Sequence, residues 1–198
     1  MSAIRRLLEG AIDIHCHVAP DPRVERRADA AETARVAAGL GLRALVFKSH
    51  EYPSTPLALA VQPTVQEVQL FGGVCLNEEV GGLNPLAVEA TAKMGGKVVW
   101  FPTFSSAADH QRRGLSGGIS ILDRQGRLSA QAEKVLEVIK KQDMVLATGH
   151  LSVQETHALV EAARAQGIGR IVVTHASHAA YWFGLTLEDQ KALAQKGA

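Results

Sequence analysis

Short apolar runs alternate along this sequence with amphipathic, alanine-rich stretches that close on glycine, and few folds are built that way. The runs are Ala11–His15 (AIDIH), Arg43–His50 (RALVFKSH), Leu70–Leu76 (LFGGVCL), Lys97–Phe104 (KVVWFPTF), Met144–His150 (MVLATGH) and Arg170–His175 (RIVVTH). Each is rich in Val, Ile, Leu or Phe, and none alternates cleanly in polarity. That is the pattern of a strand buried on both faces of a parallel sheet. Helices are predicted over Ala30–Leu40, Pro85–Met94, Ser129–Lys141, Ser152–Gln166 and Thr186–Lys196. Ser152 with Glu155 has capping-box spacing, and Thr186 with Asp189 opens the last helix in the same way. Gly41, Gly95, Gly167 and Gly197 stand where helices end.

The strands begin near residues 11, 43, 70, 97, 143 and 170. Most intervals are about 27 to 32 residues, the length of one βα unit. The longer one holds an insertion over 105–126 with two Gly-rich turns, enough chain for a functional loop or lid. The expectation is one α/β domain over 1–198 with a (β/α)8 TIM-barrel-like fold, about six βα units of it present. The final ALAQKGA repeats the helix–glycine pattern that elsewhere precedes a strand, so the barrel reads as C-terminally incomplete. A full one runs to about 250 residues.

Composition removes several classes of function. With 46% hydrophobic and 21% charged residues, wholesale disorder is excluded. A net charge of +1 gives no pull toward nucleic acid or an acidic membrane. No apolar run approaches the roughly 18 residues of a membrane span, and the N-terminus lacks a secretory pattern. Two cysteines, Cys16 and Cys75, make no disulfide framework and fit a reducing cytoplasm. Dinucleotide, Walker A, nucleophile-elbow, CxxC and HExxH motifs are absent. A small-molecule substrate is expected, with no nucleic-acid or membrane partner.

The eight histidines are what the composition leaves to explain. His15, His17, His50, His150 and His175 fall at or just after the carboxyl ends of predicted strands, with His178 close behind. Strand carboxyl ends are where barrels and open α/β sheets build their sites. In His15-x-His17, alternate residues of a strand share a side, so both imidazoles can reach one metal ion. His150 and His175 are candidates for further ligands, or for one ligand and one proton-transfer group. His50 and His178 are candidate acid/base residues. Lys48 shares one side of the second strand with His50. Beside a metal it needs a depressed pKa, a carboxylate partner such as Glu78 or Glu79, or carbamylation to an anionic ligand; otherwise it reaches solvent. His110, in the insertion, and Glu78 are candidate substrate contacts. Arg112 and Arg113 read as an exposed basic turn or an anion site. His157 reads as a solvated helix position and Cys16 as core.

DIHCH on the first strand, followed by TGH and VTH on the fifth and sixth, resembles the amidohydrolase superfamily of metal-dependent hydrolases. The longer matches DIHCHVAPDP, LVFKSHEYP, KVVWFPT and TGHLS are similar to a little-characterised branch of it. The resemblance implies a TIM-barrel with one or two divalent ions, Zn first, Fe, Mn or Ni otherwise. It assigns His15, His17, His150 and His175 as metal ligands. It implies activated water attacking an ester, amide or lactone carbonyl. Two features depart from that pattern: the fourth strand carries no lysine or glutamate at its end, for which Lys48 is a possible substitute, and the strand-eight aspartate has no counterpart. Phosphoesterases of the polymerase-and-histidinol-phosphatase type share the early HxH and an ending like FKSH. A metal-dependent decarboxylase or hydratase on the same scaffold is the second alternative. The third is an inactive barrel that binds metal and assembles through open strand edges; a homo-oligomer is expected in either case.

Overall fold

The computed structural model describes residues 3–178 and 185–198. Its strands are β1 (Ile12–His17), β2 (Ala44–Lys48), β3 (Gln69–Phe71), β4 (Gly73–Cys75), β5 (Val98–Trp100), β6 (Val145–Ala147) and β7 (Ile171–Val172). The helices are α1 (Ala3–Leu8), α2 (Ala30–Gly39), α3 (Thr55–Val61), α4 (Pro85–Lys93), α5 (Ala107–Arg112), α6 (Ala130–Lys141), α7 (Val153–Ala165) and α8 (Leu187–Gln195). Strand order is sequential, β1-β2-β3 and β4-β5-β6-β7, and every pair is parallel. The two sheets are one interrupted ribbon, because β3 and β4 are halves of the predicted third strand. The break falls at Gly72, where a Cβ would stand 2.3 Å from the backbone nitrogen of Thr55 at the start of α3.

Both faces of this ribbon are apolar, which is why its strands show no polar alternation. Val74, Val99, Leu146 and Ile171 face outward onto Val88, Val135, Leu136, Ile139, Leu159 and Val160 of the helices. Leu45, Phe47 and Leu70 do the same against Ala34, Ala37 and Ala58. The alternate residues Val46, Cys75, Val98, Trp100 and Ala147 form a separate inner cluster with Phe71, Val145 and Val172. Each fully buried side chain of this size contributes about 1.5–3 kcal/mol.

The ribbon is rolled rather than flat. At its amino-terminal end Ile12 and Ile14 of β1 line the same cavity, about 550 Å³, as Val98 of β5 and Val145 of β6. At the carboxyl end the ring of His15 on β1 lies 5.1 Å from that of His175, just past β7. The architecture is therefore an α/β, TIM-barrel-like roll of six βα units.

Five predicted helices are present, with the expected capping boxes at Ser152 and Thr186, and Ser129 caps α6 as well. Helix α3 lies where no element was expected. Pro56 sits in its first turn, where a missing N–H costs nothing. The insertion is not all loop either, since it contains α5.

Candidate functional site

The two histidines of β1 face inward because the strand contains a bulge. Asp13 pairs with Leu45 and Cys16 with Phe47, so Ile14 and His15 together stand opposite the single Val46. The extra residue reverses the alternation. Ile12 and Ile14 line the inner cavity, and past the bulge His15 and His17 also turn inward, while Cys16 packs against the outer cluster. The N–H of His15 donates to Asp13 Oδ1 at 2.9 Å.

Five imidazoles then close into a ring. Centroid separations run 5.2 Å from His15 to His17, 4.8 Å to His50, 5.9 Å to His150, 5.6 Å to His175 and 5.1 Å back to His15. They come from the ends of four different strands, and the roll of the sheet is what joins them. His178 lies 6.2 Å from His175 on the exposed side.

Each histidine is held by its own surroundings. His50 Nδ1 is 2.8 Å from Thr103 Oγ1, which accepts from Asn77 Nδ2 at 2.8 Å. The same Asn77 nitrogen donates to the His50 carbonyl at 2.9 Å, and Asn77 Oδ1 accepts from the Thr103 N–H at 2.7 Å. His150 donates its N–H to Pro102 O at 2.9 Å and accepts from Ser106 Oγ at its carbonyl at 2.7 Å. Its Nδ1 stands 3.9 Å from the fully buried carboxylate of Asp109. His175 adopts φ of 57°, a left-handed conformation that costs a non-glycine residue about 1–2 kcal/mol. Such strain concentrates at functional positions.

Lys48 enters the ring from β2. It is almost fully buried, with Nζ 3.2 Å from His15 Nε2 and 5.4 Å from the centre of the Trp100 ring. Burial pulls its pKa down to about 8. Burial, reinforced by the Lys48 cation, pulls His15 and His17 to about 3 and His175 to about 4. The same causes push His50 and His150 far below the usual imidazole range. All five rings are neutral near pH 7.

Arg23, from the loop after β1, closes one side of the mouth. It pairs with Glu51 and Glu79 at 2.6 Å each and lies 5.1 Å above the Phe104 ring. Phe104 in turn packs 4.3 Å from His50. Thus Glu79 reaches the mouth, whereas the Glu78 side chain is exposed and its backbone is engaged instead, the N–H donating to Ser105 Oγ and the carbonyl accepting from Gly81. His110 turns to the carbonyl of Ser116 within the insertion and is not part of the ring. Arg112 and Arg113 are held by Asp109. His157 links α7 to α8 through Asp189 at 3.0 Å rather than facing solvent alone.

Thr103, Asn77, Asp109, Arg23 and Phe104 were not singled out in the sequence. Thr103 and Asn77 do follow apolar runs directly, as the site histidines do, and that position is the signal that could have found them.

Among solved structures, the chain is similar to a Xaa-Pro dipeptidase with bound methionine (15% identity, TM-score 0.49, 96% of this chain and 52% of that one). It is also similar to the tetrameric deoxyribose phosphate aldolase of Aeropyrum pernix (14%, 0.45, 84% and 64%). The chain thus spans about half to two thirds of the length of these enzymes, and with TM-scores this low nothing about function rests on them. No curated protein matches it in sequence. A family profile matches residues 10–198, and the chain belongs to that family, the family of unknown function DUF6282.

Proposed function

We propose that this chain carries the metal centre of a hydrolase of the amidohydrolase type, with His15, His17, His150 and His175 holding one or two divalent ions, zinc first among them. The observation that carries the proposal is the closed ring of five neutral imidazoles at the carboxyl ends of parallel strands. Neutral imidazole is the form that binds metals. His17 Nδ1 is buried with no hydrogen-bond partner among the described residues. The fit is one of donor type and convergence. As the side chains stand, no three His, Cys, Asp or Glu groups among the described residues are placed to hold an ion.

A divalent ion there supplies Lewis-acid polarisation of a scissile carbonyl or phosphoryl group and a hydrolytic water activated near neutral pH. The protein's own residues do the rest. Thr103 and Asn77 hold His50 through its Nδ1 and fix the orientation of its ring beside the other four imidazoles. His178, exposed beside His175, stands on the solvent side of the ring. Arg23 and Phe104 keep water from one side of His50. Among the described residues no helix is long and apolar enough to cross a membrane, and both thiols are free, which suits a reducing compartment. The edge strands β1 and β7 favour a homo-oligomer.

The test is metal content by plasma mass spectrometry after zinc loading and desalting. One to two ions per chain are expected in the parent and a loss of at least half in the double variant His15→Ala/His17→Ala. Equal, sub-stoichiometric metal in both proteins would sink the proposal.

A further inference from the structure

Lys48 is a buried ammonium with no carboxylate in contact among the described residues. Among the described residues its contacts are the Nε2 of His15 at 3.2 Å and the face of Trp100. An ammonium has three donors, and the imidazole can use at most one of them. The nearby carboxylates are hydrogen-bonded to arginines and not to Lys48. Glu51 accepts from Arg23 at 2.6 Å and from Ser49 at 3.4 Å, Glu79 accepts from Arg23, and Arg26 pairs with Asp21. Cys75, on the neighbouring strand, is fully buried as a neutral thiol in contact with Thr103. Burying a charge is costly unless it is paired, and nothing described in the pocket pairs this one.

We infer that Lys48 is the anion-binding group of this pocket and that the substrate presents an oxyanion, a carboxylate or a phosphoryl group, to its Nζ. The inference rests on the reading of the histidine ring as the substrate pocket and deepens it. All the proposed metal ligands are neutral imidazoles, so a dication held by them leaves its full charge in place. It adds to that of Lys48, and an anionic substrate offsets part of the combined charge. Lys48 on this account binds substrate and is not a metal ligand.

The experiment titrates metal-free protein with inorganic phosphate and, separately, with acetate, against chloride at equal ionic strength, reading the rise in melting temperature. The parent is expected to be stabilised by at least one of the two oxyanions. The tighter one assigns the substrate group as phosphoryl or carboxylate. In Lys48→Met binding is expected to weaken about tenfold or more, the loss of a charged hydrogen bond, while Lys48→Arg stays within about threefold of the parent. Saturating phosphate or acetate should also move the Lys48 Nζ resonance of the parent, a readout independent of how the variants fold. Unchanged affinity in Lys48→Met, or neither stabilisation nor a resonance shift in the parent, overturns the inference. So does loss of zinc from both variants, which makes Lys48 a ligand. Zinc binding by the parent is read in parallel. Its absence sinks the metal reading and leaves the phosphate and acetate arms standing, whereas zinc binding without anion binding sinks the Lys48 assignment alone.

Discussion

Gly149, the glycine of TGH, has φ of 66°, and a Cβ there would stand 2.1 Å from the carbonyl oxygen of Phe101. Only glycine brings the β6 end close enough for His150 to donate its N–H to Pro102 and turn its ring into the site. Gly149→Ala should cost about 2–4 kcal/mol, the sum of a left-handed alanine and local overpacking. Urea denaturation checks this, and a change under about 0.5 kcal/mol, the scatter of neutral surface substitutions, would count against it. Residues like this were legible in part. The histidines stood out because each follows a buried run. Thr103 and Asn77 lie at similar positions, but their pairing joins residues 26 positions apart, a proximity that nothing local in the sequence signals.

Among the elements, the insertion over 105–126 is not a free lid. Glu155, in the first turn of α7, accepts from Ser152 at 3.0 and 2.8 Å and also from Ser120 Oγ at 3.0 Å and the Ile121 N–H at 3.1 Å. The capping box that marks the start of α7 in the sequence therefore also anchors the insertion. Glu155→Ala should lower stability by about 2 kcal/mol, since it removes four hydrogen bonds and strands the buried Ile121 N–H. Hydrogen exchange should speed up at Ile121, while metal content is unaffected; a protected Ile121 in the variant would contradict that anchor. Helix ends such as Ser129, Ser152 and Thr186 were readable because caps are local chemistry. The bulge in β1 was not, because it appears only as a shift in pairing with β2.

For the whole molecule, rolling the sheet creates the site and also sets its dependence on pH. His15 and His17 titrate at about 3 and His175 at about 4 in the folded chain, against 6.5 for an ordinary histidine. Between those values the unfolded chain binds protons that the folded chain does not. Stability is therefore complete above pH 6.5 and lost as pH falls toward about 3. Urea midpoints of chelator-treated protein at pH 7.5, 6 and 5 should fall in that order, and equal midpoints would contradict the neutral ring. The six-unit roll was legible from strand spacing, whereas the meeting of His15 with His175 followed only from its closure. The closest test of the metal centre is zinc K-edge absorption on loaded protein. Three or four nitrogen ligands at about 2.0–2.1 Å, reduced in His150→Ala/His175→Ala, are predicted; an all-oxygen shell, or one unchanged in that variant, would contradict a metal held by the histidine ring.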